Sequence, residues 1–395
     1  MIGPADAPSD VSAPRAAAAG RRVAHLTTVH GRRDVRIFEK ETRTLAAAGF
    51  EVYLLVGDGR GDERVDGVQV LDIGAAPPGR LRRMLRQPLL MLRAARRLHA
   101  DVYHFHDPEL LWVGALLQLG GAHVVYDSHE DVPRDILSKD WIAPALRRTI
   151  AVAFERLENF VARRLSAVVA ATPHIATRFA EIGARSIDIN NYPADAELAR
   201  ATPPTPAGAA PGNRVLCYIG GIGRIRGVIE MVKAMERVDA ILVMAGAFEG
   251  PDTEAETRAL PGWQRVDYRG TVGREEVRRL MAGASAGLLL FHPEPNHVDA
   301  QPNKMFEYMS AGLPVVASDF PLWRRVLVDE GAGVCVDPMD PAAIAAAIDR
   351  LLHDAEAARQ MGERGRSAVQ ARYRWSTQAA RLVGLYDDLL GSYAR

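Results

Sequence analysis

The 395-residue sequence holds only two cysteines, Cys217 and Cys335, both in apolar runs and far apart. That is too few for a disulfide scaffold, and they read as reduced core thiols. Long hydrophobic runs are missing too: nothing approaches the ~18 consecutive apolar residues of a membrane-crossing helix. Net charge is absent, since 49 basic residues balance 49 acidic ones, which argues against a general nucleic-acid binder. No HExxH and no Asp-x-Asp pair occurs, so two short metal-binding signatures are lacking. The first twenty residues carry Asp6 and Asp10 where a secretion signal needs positive charge, and Pro4, Pro8 and Pro14 break any apolar core. Residues 1–20 are therefore expected to be a disordered leader on a soluble, cytoplasmic protein.

What is present is an alternation. Short apolar, β-rich runs at 23–28, 52–56, 68–73, 102–106, 124–128, 167–171 and 187–190 are separated mostly by helical patterns. Continuous apolar strands between helices mean a parallel sheet covered on both faces. The stretch 201–213, ATPPTPAGAAPGN, is uncharged and carries four prolines, so it reads as a linker. A second series follows at 215–219, 241–245, 266–268, 287–291, 315–318 and 333–336, then a helical tail from Asp340 to about Tyr393. The expected fold class is α/β: two Rossmann-like, doubly wound parallel-sheet domains, 21–200 and 214–375, facing across a cleft. Ligands of such sheets bind beyond the carboxyl ends of the strands, which directs attention to the loops there.

Four loops and one helix stand out. Gly220-Gly221-Ile222-Gly223-Arg224-Ile225-Arg226-Gly227 joins a strand to a helical pattern. Glycines admit a phosphate close to the backbone, and Arg224 and Arg226 offer guanidinium donors. Asp299 and Glu307 flank Pro302 and Lys304. Pro302 forbids one continuous helix, so Asp299 falls on a loop and Glu307 on a helix that Pro302 starts. Lys304 then lies in the first turn, where a cation is unfavourable without an anion nearby. In the first half, His104 and His106 alternate on a strand followed by Asp107, and a later strand ends in Asp127-Ser128-His129-Glu130-Asp131. These groups share one sheet edge. A metal site, a core role for His104, or contact of His106 and His129 with a hydroxylated substrate are the three readings. The loop from His30 to Arg36 is either a cleft loop or a charged surface turn. Finally, residues 80–97, from Arg80 to Arg97, interleave seven arginines with Leu and Met and contain no acid. Docking on an anionic membrane surface competes there with a plain amphipathic helix whose arginines are solvated.

Taken together, six segments resemble family 4 glycosyltransferases of the GT-B fold. They are Asp34-Val-Arg36-Ile-Phe-Glu-Lys40-Glu, His106-Asp-Pro-Glu, Tyr126-Asp-Ser-His129-Glu, Tyr218-Ile-Gly-Gly, Lys304-Met-Phe-Glu307-Tyr-Met-Ser-Ala-Gly312-Leu-Pro and Ala317-Ser-Asp-Phe-Pro321. The resemblance implies retaining transfer from a nucleotide-diphosphate sugar held by the second domain to a glycan or lipid-linked acceptor held by the first. It also implies that residues 376–395 form a helix packing back on the first domain. By position, Gly220, Gly221, Arg224, Arg226, Asp299, Lys304 and Glu307 would hold the donor, with Glu307 on the ribose. His30, Arg36, His106, Asp107, His129 and Glu130 would line the acceptor side. His106, Arg224, Arg226 and Lys304 would serve the chemistry. Gly221 stands where many members have an arginine, and Arg224 is expected to reach back in its place. Asp299 stands where many have a glutamate. Fixed cations would stabilise the departing diphosphate, so neither metal nor cofactor is expected. A sugar-nucleotide epimerase, using the 129–131 cluster, and a non-catalytic sugar-nucleotide-binding partner are the rival readings.

Overall fold

The computed structural model describes residues 18, 20–77, 79–139, 142–195 and 214–391. The expected leader, apart from Ala18 and Gly20, and the expected linker 201–213 lie outside the described residues. The chain divides into two units, Met1–Asn191 with Trp375–Arg395, and Tyr192–Arg374.

In the first unit, eight strands form one sheet: β1 (Arg22–Leu26), β2 (Glu51–Val56), β3 (Glu63–Val65), β4 (Val68–Asp72), β5 (Val102–Phe105), β6 (His123–Ser128), β7 (Ala167–Ala170) and β8 (Ser186–Asp188). Their order is β3-β4-β2-β1-β5-β6-β7-β8. Among these strands only the short β3, which the hydrophobic pattern does not reveal, pairs antiparallel. Strands such as β5 and β7 are buried at every residue, as a sheet covered on both faces requires. The strand order reverses at β1, which pairs with β2 on one side and β5 on the other. The loops beyond those two strands therefore open at the switch point where such sheets bind ligands.

Two cores flank this sheet. One is filled by Met91, Leu110, Val113 and Phe179. The other takes Ile37 and Phe38 together with Trp375, Leu382, Tyr386 and Leu389. The last four come from helix Trp375–Gly391, whose Trp375 Nε1 donates to Thr44 Oγ1 at 2.8 Å. After β1 the chain enters a π-helical turn, Ile37–Thr42, before the α-helix Arg43–Ala47. Glu41 N donates to Arg36 O at 3.0 Å, a wider ring than the α-helical one, and both side chains end up buried. Turns of this kind often mark functional positions.

The second unit has six parallel strands: β9 (Val215–Ile219), β10 (Ile241–Ala245), β11 (Val266–Tyr268), β12 (Ala286–Leu289), β13 (Val315–Ser318) and β14 (Gly333–Val336). The order is β11-β10-β9-β12-β13-β14, so the reversal falls between β9 and β12. The expected tail is three helices, Pro341–His353, Ala355–Arg372 and Trp375–Gly391. The first break is at Asp354, whose carboxylate caps the next helix by accepting from Ala357 N at 2.9 Å. Both cysteines are free, on β9 and β14, and burial pushes each thiol up to about 12. Among the described residues, no helix is long and apolar enough to cross a membrane.

Candidate active site

The second unit assembles its charged groups where β9 and β12 end. Gly220 follows β9 with φ +126°, and a Cβ there would lie 2.7 Å from Lys304 Nζ. A Cβ at Gly221 would meet Arg226 Nη1 at 3.2 Å and Glu249 Oε1 at 3.3 Å. The glycines thus let the strand end close against three charged side chains.

Lys304 lies in the first turn of helix Asn303–Ser310 and is buried. Its Nζ donates to Tyr218 Oη at 3.1 Å and sits 4.2 Å from the Tyr218 ring centroid and 5.5 Å from that of Phe291. Burial, and then the positive charge of Arg226, push Lys304 down to about 7. Arg226 Nε pairs with Glu249 Oε1 at 2.8 Å, with its guanidinium 5.8 Å from the Phe291 ring. Two cations at a helix start, beside the Tyr218 and Phe291 rings, make a site suited to an anion.

Arg224 does not reach back beside Gly221; the guanidinium there is Arg226's. Arg224 instead pairs with Glu256 on helix Pro251–Ala259 and is half-exposed. Residues Arg224–Arg226 form a 3-10 turn. With three residues per revolution, 224 and 226 leave the chain on different sides. Asp299 is on the loop after β12 and Glu307 on the helix, as the spacing requires. Pro302 precedes the first helical residue by one. Glu307 is three residues past Lys304, on the same helix face. That loop is pinned by His292 Nε2 to Glu230 Oε2 at 2.8 Å and by His297 Nδ1 to His292 O at 3.2 Å.

The first unit gathers five histidines on and just beyond β1, β5 and β6. His25 Nδ1 meets His106 Nε2 at 2.9 Å. His106 Nδ1 and His129 Nε2 both meet Asp127 Oδ2, at 3.0 and 2.9 Å. His104 Nδ1 is 2.7 Å from Tyr386 Oη. Nearer the surface, the His30 and His129 rings are 4.9 Å apart. Arg36 grips Asp127 with Nε and Nη2 at 2.9 and 2.8 Å, and donates from Nη1 to Ile189 O at 2.7 Å. Burial would raise Asp127, but Arg36 and His129 hold it well below the usual carboxylate range. Burial and the Asp127 charge push Glu41 well above it. Burial lowers His106 to about 4, so it is neutral at pH 7.

Of the expected acceptor-side residues, His30 and His129 are partly open and Glu130 is exposed. The other three are corrected by the structure. Arg36 is a core ion-pair residue rather than a lining one. Asp107 is buried because it holds the loop after β1, accepting from Thr27 Oγ1 at 2.9 Å and Thr28 N at 2.5 Å. His106 is buried beneath His129. Glu41, His104, His106 and Asp127 bring potential ligand atoms within 4.8 Å of one another. Arg36 Nε, 3.1 Å from Glu41 and 2.9 Å from Asp127, already puts a positive charge between the two acids, so the cation's place belongs to Arg36.

Sequence reasoning missed Glu249, Phe291, His25 and Glu41. His25 lies on β1 and Glu249 on the loop after β10, and the neighbours of both are fixed only by the sheet order. Glu41 was visible only through its five-residue spacing from Arg36.

Residues 35–190 match a family described as a glycosyl transferase 4-like domain, and residues 204–368 match glycosyl transferases group 1. The chain is 25% identical to the MMP alpha-(1->4)-mannosyltransferase of Mycolicibacterium hassiacum, over 77% of this chain and 75% of that one. It is 24% identical to the glycogen synthase of Mycobacterium tuberculosis, over 93% and 90%. In fold it is similar to sucrose-phosphate synthase from Thermosynechococcus elongatus, with a TM-score of 0.72, 20% identity and coverage of 94% and 100%. Anabaena HepE in complex with UDP-glucose gives a TM-score of 0.70 at 16% identity, covering 93% and 99%.

Proposed function

This chain belongs to the glycosyltransferases of the GT-B fold, its two halves matching a 4-like and a group 1 domain, and on that premise we propose that it moves a sugar from a nucleoside-diphosphate donor to an acceptor hydroxyl with retention of anomeric configuration. The observation that carries this reading is the pairing of buried Lys304 with Arg226 at the ends of β9 and β12. Among the described residues, Lys304 finds the Tyr218 phenol and the Phe291 ring but no ion pair, with Glu307 and Glu249 acting on it only from farther off. An ionised diphosphate supplies the missing negative charge. Glu307, farther along the helix face, is the carboxylate for the ribose hydroxyls, and Asp299 is the loop acid for the sugar.

In the transfer, the bond from the anomeric carbon to the diphosphate oxygen breaks as the acceptor oxygen bonds to the same face. The acceptor proton leaves with the diphosphate. Arg226 and Lys304 stabilise the charge that accumulates on the leaving group, where fixed donors in a dry site are most effective; neither metal nor cofactor is called for in this scheme. Arg224, spent on Glu256, is assigned no part in it. His30, His129 and Glu130 are the expected first-unit residues left open to an acceptor. A glycan or lipid-linked acceptor, and a place in cell-surface polysaccharide or glycolipid synthesis, fit the acid-free arginine helix Arg80–Leu98, which suits an anionic membrane face.

The test is incubation with UDP- and GDP-sugars, with and without lipid-linked acceptor. Acceptor-dependent nucleotide release with a product of unchanged anomeric configuration supports the proposal. A new sugar epimer without release, or no turnover with any donor, rejects it.

A further inference from the structure

Eleven of the sixteen large apolar side chains left exposed among the described residues lie on three helices of the first unit, Arg80–Leu98, Leu111–Leu119 and Pro144–Ala162. The middle helix touches both of the others, so the three share one face of the sheet. It carries no charge at all and exposes Trp112, Leu116 and Leu119, the last by 83%. On helix Pro144–Ala162 the exposed residues Leu146, Ile150, Ala153, Leu157 and Phe160 recur at alternating spacings of four and three. That spacing draws one continuous apolar stripe along a helix. Leu157 and Phe160 are exposed by 54% and 51%. A soluble surface rarely leaves a stripe of this length uncovered.

The exposed charges on the three helices share one sign. The three helices contain two acids, Glu155 and Glu158, and both are tied to arginines of neighbouring elements. Glu155 pairs with Arg134, and Glu158 pairs with Arg178 at 2.6 Å. The arginines face outward instead: Arg82, Arg86 and Arg93 on one flank, Arg148, Arg156 and Arg163 on the other. Arg164 lies 3.7 Å over the Phe160 ring, an apolar side chain with a cation at its rim.

We propose that this three-helix face docks on an anionic lipid bilayer, the apolar stripe entering the headgroup boundary while the arginines meet lipid phosphates. A face with an apolar stripe, exposed arginines and no exposed acid has the composition of an interfacial element. A second copy of the chain is the poorer occupant, because self-pairing would set arginine against arginine. The inference rests on the membrane reading above for the sign of the lipid charge. It extends the contact from one basic helix to three and adds an apolar component.

The full chain is sedimented with vesicles of phosphatidylcholine, with and without phosphatidylglycerol, across a salt series. A variant carrying Leu146→Gln, Leu157→Gln and Phe160→Gln tests the stripe, and one carrying Arg82→Glu, Arg86→Glu and Arg93→Glu tests the basic helix. All six side chains are exposed, and an unchanged melting temperature and nucleotide affinity verify that each variant is folded. The parent is expected to bind only the anionic vesicles and to keep part of that binding at salt that screens the arginines. The stripe variant is expected to bind about tenfold more weakly. If charge reversal releases the protein while the stripe variant stays bound, the three-helix face is refuted and the basic helix stands. If the parent ignores anionic vesicles, both fall. A concentration-dependent dimer in velocity sedimentation that the stripe variant abolishes would assign the stripe to a second copy and overturn the lipid proposal.

Discussion

The two units end their sheets in the same way and manage charge there in opposite ways. Beyond β1, β5 and β6 the first unit balances itself: Arg36 grips Asp127, His106 and His129 share that carboxylate, and Asp107 is consumed by Thr27 and Thr28. Beyond β9 and β12 the second unit leaves a buried ammonium facing a phenol, with Arg226, the ion-paired Glu249 and, along the helix, Glu307 as its charged neighbours. A cluster whose carboxylate is held by an arginine and two imidazoles fixes geometry. A buried unbalanced cation is costly until an anion arrives. On the proposed function, the buried part of the first cluster serves the fold and the second serves the donor.

Charge deletion should therefore damage stability in one unit and chemistry in the other. The largest effect is expected for Arg36→Leu, which strands Asp127 and Glu41 in the core. It should lower stability by about 3–5 kcal/mol, seen as an earlier urea transition; a shift below about 1 kcal/mol would mean the cluster is not what holds the unit. Next, Arg226→Ala should reduce kcat by roughly 100- to 1000-fold without altering the melt, whereas Arg224→Ala should leave steady-state kinetics nearly unchanged. The reverse pattern would return the leaving-group role to Arg224. Smaller again, Glu307→Gln should weaken calorimetric binding of a nucleoside diphosphate by about 1.5–3 kcal/mol, and unchanged affinity would take Glu307 out of the site.

The mildest test uses pH alone. Lys304, lowered to about 7, is charged below that pH and loses its proton above it. The terminal phosphate of the ligand is ionised by then. Nucleotide affinity should fall from pH 7 towards pH 9 by up to about tenfold per unit. Lys304→Arg should flatten that profile, because a guanidinium keeps its proton. A flat profile in the parent would end the claim that Lys304 meets the diphosphate.

Most strands were legible from apolar runs alone, because a parallel sheet buries both faces of each strand. β3 escaped because Glu63-Arg64-Val65 has no apolar run and owes its existence to β4. The glycine loop, Lys304 and Glu307 were legible as motifs. Which arginine faces Gly221 was not, since a single 3-10 turn decides it. His106 read as a lining group because strand ends are visible in sequence and depth is not, whereas the core reading of His104 matches its burial. Burying His106 required His25, Asp127 and the π-helical turn to converge on it from three segments.

Helix Trp375–Gly391 has a consequence for how the protein is made. The core of the first unit is short of Trp375, Leu382, Val383, Tyr386 and Leu389 until the last helix leaves the ribosome. Residues 192–374 form a unit of their own before that, so the inserted unit is complete first even though its host begins earlier. During synthesis the nascent first unit exposes an unfilled apolar trough for the time taken to translate the insert, several seconds to tens of seconds at ordinary elongation rates. Release of a chain stopped before Trp375 should yield a folded second unit carrying an aggregation-prone partner. A shortened chain in which 375–391 follows directly after Asn191 would close the trough early and let the first unit fold by itself.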